Sequence, residues 1–163
     1  MKKVVKFGGS SLANAEQFQK VGDIIRGDES RRYVVPSAPG KRFSADTKVT
    51  DLLYTCYGKA EAGEDFTDVL TEIKGRFYEI IKGLNLDLSL EEEFRQIEAD
   101  FKAHAGNEYA ASRGEFLNGK VMAAYLGYEF IDSATVIRFD KNGNFDADKT
   151  DKLLSKRLQK CER

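Results

Sequence analysis

The chain has 163 residues, 41% of them hydrophobic and 33% charged, and its 26 Lys plus Arg against 27 Asp plus Glu leave a formal net charge of −1. That is the size of one ordinary globular domain, and the balance provides no global field to draw it onto nucleic acid or an anionic membrane. Apolar residues fall in short runs such as Val4-Val5 and Ile80-Ile81, far short of the roughly 20 that span a bilayer. Lys6, Gly8 and Gly9 break up what would be the apolar stretch of a signal peptide after Met1-Lys2-Lys3. A cytoplasmic location is expected, with neither nucleic acid nor membrane as partner. Cys56 and Cys161 have no C-x-x-C spacing and one histidine, His104, to help them, so no metal site or disulfide framework is expected. Both thiols read as core or helix-face filler, and His104, following Ile97 and Phe101 on a helical face, as a packed or half-exposed side chain.

In chain order, residues 2 to 7 read as a buried strand, because β-branched Val4 and Val5 lie beside an abrupt Gly8-Gly9 break. From Ser11 to Arg26, Phe18, Val21, Ile24 and Ile25 recur at spacings of three and four, which predicts an amphipathic helix capped by Ser10 or Ser11. Tyr33-Val34-Val35 makes a second strand, stopped by Pro36-Ser37-Ala38-Pro39-Gly40 before a polar, basic loop through Lys41, Arg42, Asp46 and Lys48. Two helices follow, the first through Val49, Leu52, Leu53, Cys56 and Tyr57, the second through Phe66, Val69, Leu70, Ile73, Phe77, Ile80 and Ile81.

After a connection at Asn85 to Asp87, Ser89-Leu90-Glu91-Glu92 has the Ser-x-x-Glu order of a capping box, opening a helix with Phe94, Ile97 and Phe101 inward. Another helix runs from about Asn107 to Tyr125 with Leu117, Val121 and Tyr125 on one face. Gly114 within it costs about 1 kcal/mol relative to Ala, so close packing or a close ligand should account for it. A third strand is expected near Tyr128 to Ile131, and a short one at Ile137-Arg138-Phe139 before an Asp140-Lys141-Asn142-Gly143 turn. Leu153, Leu154 and Leu158 mark a last helix. Three or four strands against about six helices are too little sheet for a layered α/β domain. The sheet is therefore expected to be truncated, and the natural protein to continue beyond Lys160-Cys161-Glu162-Arg163.

Lys6-Phe7-Gly8-Gly9-Ser10-Ser11 joins a strand to a helix start, where free N–H groups and the helix dipole favour an anion and bare glycines admit a phosphate. The same Gly-Gly is also the ordinary way to turn a chain sharply, and it matches neither the P-loop nor the dinucleotide fingerprint. Lys6 shares a face with Val4 and points toward the crevice where α/β sheets bind ligands, or else is a solvated edge lysine. Ser37 ends the second strand on the same rim. Thr50-Asp51 reads as a cap with a dipole-compensating acid or as a ligand contact, and Glu115 as a solvated helix acid or a functional one.

Taken together, these blocks resemble the aspartokinases of the amino acid kinase family. The resemblance lies in Val4-Val5-Lys6-Phe7-Gly8-Gly9-Ser10-Ser11-Leu12-Ala13, Val34-Val35-Pro36-Ser37-Ala38-Pro39-Gly40-Lys41, Val49-Thr50-Asp51-Leu52-Leu53 and Ser112-Arg113-Gly114-Glu115-Phe116-Leu117. It covers nearly the whole chain. It implies the N-terminal part of an α/β kinase domain, a three-layer αβα sandwich of the carbamate kinase-like type. The implied reaction moves the γ-phosphoryl of ATP, with Mg²⁺, to the side-chain carboxylate of L-aspartate, opening the route to lysine, threonine and methionine. By this similarity Lys6 neutralises charge on the transferring phosphoryl, while Lys6, Phe7, Gly8, Gly9 and Ser10 cradle the phosphates. Thr50 and Glu115 hold aspartate, Glu115 through its α-ammonium, and Ser37 lines the same pocket. The family's nucleotide half and regulatory ACT domains are missing from these 163 residues, so the chain is expected to be inactive alone and the full-length protein to be a homo-oligomer. A non-catalytic ligand-binding module and a family member with a different acid substrate are the alternatives.

Overall fold

A computed structural model of the chain describes residues 1–161; the end at Glu162-Arg163 lies outside the described residues. Strand β1 (Lys3–Phe7) and strand β2 (Arg31–Pro36) pair in parallel, with Val4 opposite Tyr33 and Lys6 opposite Val35. Helix α1 (Ala15–Arg26) makes the crossover between them. Helices α2 (Val49–Glu61), α3 (Thr67–Gly83), α4 (Glu91–Lys102), α5 (Asn107–Leu126) and α6 (Ala147–Leu158) follow.

The core is helical. Phe18, Leu53, Tyr57, Ile73, Phe77, Ile80, Phe94, Ile97, Phe101, Leu117 and Val121 are all fully or nearly fully buried in one cluster. Their spacings of three and four are the stripes read above, each laid against its neighbour. The Tyr57 and Phe101 rings meet edge to face at 5.4 Å. The sheet covers one side of this cluster with Val5, Phe7 and Val34. Its other face is open among the described residues, with Val4 67% and Val35 51% exposed. The expected buried first strand is thus buried on one face only.

Several local expectations are corrected. The first helix starts at Ala15 rather than Ser11, because Gly9–Leu12 form a 3₁₀ turn closed by the Ser11 N–H on the Gly8 carbonyl (3.0 Å). Its cap is Asn14, whose side chain accepts the Gln17 N–H at 3.0 Å. Ile24 faces out at 50% exposure, since the inward stripe is Phe18, Val21, Gly22 and Ile25. The Ser89 capping box does not form. Ser89 Oγ accepts from Glu91 at 3.3 Å, and the Tyr78 hydroxyl of α3 accepts the Leu90 N–H at 3.2 Å while donating to Glu91 at 2.8 Å, so a tertiary contact does the capping.

Tyr128 to Ile131 is not a strand. It has no ladder partner among the described residues, and Phe130 instead packs edge to face on Phe116 at 5.5 Å. Ile137 to Phe139 contributes one antiparallel bridge, Phe139 to Phe145, around the expected Asp140–Gly143 turn, where Gly143 has φ +81°. Helix α6 buries Thr150 but leaves Leu153 at the surface. His104 is exposed, not packed, because α4 ends at Lys102 and His104 turns back in the left-handed region at φ +57°.

Gly114 has a packing reason. A Cβ there would stand 2.6 Å from Ala38 Cβ and 3.3 Å from Leu53 Cδ1, so glycine lets α5 press on the segment after β2. Gly75, exposed in α3, has nothing within 4 Å of such a Cβ. Gly114→Ala is therefore expected to destabilise by about 1–3 kcal/mol through overpacking, whereas Gly75→Ala should stabilise by about 0.5–1 kcal/mol through helix propensity. Urea unfolding of the two variants checks this; a stabilised Gly114→Ala would refute the packing account.

Candidate active site

Several of the residues singled out from the sequence converge on the four-residue segment Ser37–Gly40, which leaves the end of β2. The Ser37 N–H donates to the Phe7 carbonyl at 3.0 Å, carrying the parallel ladder one step past the strand. The Gly40 N–H donates to the Gly9 carbonyl at 2.8 Å. Here backbone lies on backbone: a Cβ on Gly9 would meet Ala38 O at 2.8 Å, and one on Gly40 would meet Gly9 C at 2.6 Å and Ser10 N at 2.7 Å. Both positions exclude any side chain. Pro39 accepts the Val49 N–H at 3.1 Å, which satisfies the first orphan donor of α2.

From α5, Glu115 Oε1 accepts the Ala38 N–H at 3.2 Å, and Asn118 Nδ2 donates to the Ser37 carbonyl at 2.7 Å. From α3, Arg76 donates to the Gly40 carbonyl at 2.6 Å and to the Thr47 carbonyl at 2.8 Å. Arg76 also pairs with Asp46 at 3.2 Å, and the two side chains are only 2% and 5% exposed. Asp46 is bound further by Arg42, through its N–H (2.8 Å), Nε (2.9 Å) and a terminal nitrogen (3.0 Å). These Arg42 hydrogen bonds, with the Arg76 charge behind them, hold the Asp46 carboxyl well below the usual carboxylate range. Burial and the neighbouring Arg42 charge pull Arg76 down from its ordinary value, yet an arginine stays charged.

Phe7, Gly9, Ser10, Ser37 and Glu115 are thus brought against one segment. Thr50 follows Val49, which is tied to that segment; it is the second residue of α2, half-buried, and not its cap, a position taken by Lys48. Lys6 stands on the open face of β1 beside Val35, exposed. Gly8 faces open space, with φ −78° and nothing within 4 Å of a Cβ, so no contact among the described residues demands glycine there. The expected helix N-terminus at this turn is displaced: the Gly9 and Ser10 N–H groups open a short 3₁₀ turn and precede its first bond. Asp46, Arg76 and Asn118 escaped sequence reasoning. For the two helix residues the signal was a polar side chain at buried helical spacing, Arg76 between Ile73 and Ile80 and Asn118 between Leu117 and Val121, whereas Asp46, in the loop before α2, had none.

Elsewhere, a surface hollow of about 640 Å³ lined by Glu61, Glu64, Asp65, Glu98, Lys102 and His104 lies at the opposite end of α2 from Thr50. It has no link to the segment, and its ion-rich rim is solvated surface. Cys56 is buried in the core, which pushes its thiol up to about 12 and leaves it inert. Among the described residues no group of three or more His, Cys, Asp or Glu gathers to hold a metal ion, and no helix is long and apolar enough to cross a membrane.

The family model described as "Amino acid kinase family" matches residues 1–160. The chain belongs to the amino acid kinase family. Its kinase-family relatives include Aspartokinase 3 of Bacillus subtilis, 38% identical over 141 residues, covering 82% of this chain and 31% of that protein. Among solved structures, the aspartate kinase of Clostridium acetobutylicum superposes with a TM-score of 0.95 at 46% identity, over 100% of this chain and 38% of that one. Aspartokinase III of E. coli, in complex with aspartate and ADP, shares the fold at a TM-score of 0.78 and 23% identity, over 97% of this chain and 38% of that one. The amino acid kinase fold expected from sequence is therefore present, and the chain spans about a third of the length of these relatives.

In this kinase-family chain the Asp46 cluster ties site geometry to pH. Replacing Asp46 with Asn is expected to cost about 3 kcal/mol near neutral pH, because it leaves Arg76 buried and uncompensated. With its folded value depressed, Asp46 contributes fully above the ordinary carboxylate range, and the contribution falls away progressively between that range and the lower folded value. The gap between the two proteins in urea unfolding should narrow from about pH 7 toward about pH 3; a constant gap would exclude the charge as its source.

Proposed function

We propose that this chain is the aspartate-binding part of an aspartate kinase catalytic domain. The full-length protein transfers the γ-phosphoryl of ATP to the β-carboxylate of L-aspartate, giving 4-phospho-L-aspartate and ADP for amino-acid biosynthesis. The observation that carries the reading is the convergence of the Gly9 turn and the Glu115 carboxylate on the Ser37–Gly40 segment. A phosphate-type turn and an acid suited to an amino group thereby share one short stretch of backbone. The aspartokinases among its relatives, and the aspartate and ADP in the E. coli structure, support the same choice.

The chemistry suits the residues. A substrate β-carboxylate is ionised at neutral pH, with a reference pKa of about 3.9, so it attacks without a general base. The reaction needs alignment and charge cancellation. Lys6 supplies a cation at the end of β1, and open Gly8 lets a phosphate approach the backbone, where the Gly9 and Ser10 N–H groups begin the turn. Glu115 uses Oε1 on Ala38 and keeps Oε2 for an α-ammonium; the hydroxyls of Ser37 and Thr50 serve as neutral contacts. Mg²⁺ would enter with the nucleotide, held by its phosphates and water, and would neutralise phosphate charge. The adenine site is assigned to the part of the relatives' length outside this chain, and the full-length protein is taken to be a homo-oligomer. Two unpaired thiols fit a cytoplasmic setting.

The test is aspartate-dependent ADP release by the full-length gene product, against glutamate and N-acetylglutamate as competing acids. Lys6→Ala should lower kcat by about a hundredfold or more, the scale of losing a charge-stabilising group. Glu115→Gln and Thr50→Val should act mainly on the KM for aspartate, Glu115→Gln by about tenfold or more. Turnover with another acid, or none with aspartate, would replace this reading. Residues 1–163 alone are expected to give no appreciable turnover.

A further inference from the structure

Two buried side-chain polar atoms lack a hydrogen-bond partner among the described residues, Arg76 Nε and Asn118 Oδ1. Both belong to side chains that grip the Ser37–Gly40 segment, one at each end. The coincidence is informative, because a buried polar atom left unpaired is a cost that folding alone gives no reason to keep.

At the first end, the Ser37 carbonyl and the Ala38 N–H are the two poles of a single planar peptide group. Asn118 holds the carbonyl and Glu115 accepts from the N–H. These two side chains are three residues apart on α5, hence on one helix face, and Gly114 lets that face come close. Fixing both poles fixes the plane, and the plane in turn fixes where Glu115 Oε1 lies. A leucine at this fully buried position would remove the orphaned Oδ1, but it would also take away the donor that holds the Ser37 carbonyl. What asparagine adds is the orientation of one peptide.

At the second end, Arg76 holds the Gly40 carbonyl at 2.6 Å, and Gly40 donates its N–H to Gly9 at 2.8 Å. The arginine thereby reaches the Gly9–Ser10 turn through one residue. A lysine has a single point of charge and cannot span the Gly40 and Thr47 carbonyls together.

We propose that Asn118 and Arg76 are positioning residues with separate duties: Asn118 sets affinity for the amino-acid substrate by orienting the Ser37–Ala38 peptide and Glu115, and Arg76 sets the phosphate cradle through Gly40 and Gly9. The proposal rests on the aspartate kinase reading above. Each residue acts from behind the segment, Asn118 fully buried and Arg76 3% exposed.

The experiment measures binding of L-aspartate and of ADP with Mg²⁺ by calorimetry, with steady-state kinetics, on the full-length gene product and its variants. Asn118→Leu should weaken aspartate binding and raise its KM by about tenfold while ADP affinity stays within about twofold, a split between the two ligands that a general loss of stability would not produce. Arg76→Lys, with Arg76→Gln as a second variant should the first not fold, should do the reverse, weakening ADP by about tenfold with aspartate nearly unchanged. Asn118→Asp adds a pH readout: its carboxylate repels the Ser37 carbonyl when ionised and donates to it when protonated, so aspartate affinity should recover as pH falls. Equal loss of both ligands in each variant, or folded variants indifferent to either, would overturn the proposal. A wild-type protein that binds no aspartate would instead overturn the functional reading on which it rests.

Discussion

Two backbones touch at Gly9 and Gly40 with no space for a side chain on either, and the arrangement of the candidate site depends on that contact. The Gly9 turn comes from β1, and Gly40 ends the segment that leaves β2. Because the strands are parallel neighbours, both turns emerge at the same edge, where α/β sheets collect their ligands. Everything else near the site keeps the two turns pressed together. Helix α5 bears down through Gly114, α3 reaches in with Arg76, and α2 is tethered by Val49 to Pro39. A loop of mostly small residues thus gains the rigidity of the helices around it.

The energetic layout follows the same division. The apolar cluster of α1 to α5 supplies most of the burial, and the strands add Val5, Phe7 and Val34 to one side of it. The polar machinery sits at its margin, where Asp46 and Arg76 are buried as a pair with Arg42 completing the carboxylate's hydrogen bonds. Such a pair is a weak source of net stability and a strong source of fixed geometry. That matches its place beside the segment, not within the core.

Much of this was legible in the sequence. The spacing of Val49, Leu52, Leu53, Cys56 and Tyr57, and of Leu70, Ile73, Phe77 and Ile80, specified helices whose inward faces are those observed. Lys6, the two glycines and Ser37 could be grouped because parallel strand ends share a rim, whereas Thr50 and mid-helix Glu115 joined them only through the resemblance to aspartokinases. Illegible were features that depend on a partner distant in the chain. Tyr78 displaces the Ser89 cap from 12 residues before Leu90, and Phe130 turns to Phe116 instead of joining a ladder. Arg76 and Asn118 bond carbonyls 36 and 81 positions away. A backbone carbonyl leaves no mark in a sequence, so a side chain that serves one has no visible counterpart.

The two helix residues that clamp the Ser37–Ala38 peptide follow it by 77 and 81 positions. On a ribosome adding roughly 5–20 residues per second, the strand pair and its turn are made about 4–16 s before the side chains that shape them. During that interval β1 and β2 lack the α5 surface that Gly114 lets close on the segment after β2. The site therefore acquires its form only once α5 has been made. Chaperones that recognise short valine-rich strands would have their opportunity on the nascent chain before Asn118 emerges, and lose it once α5 docks.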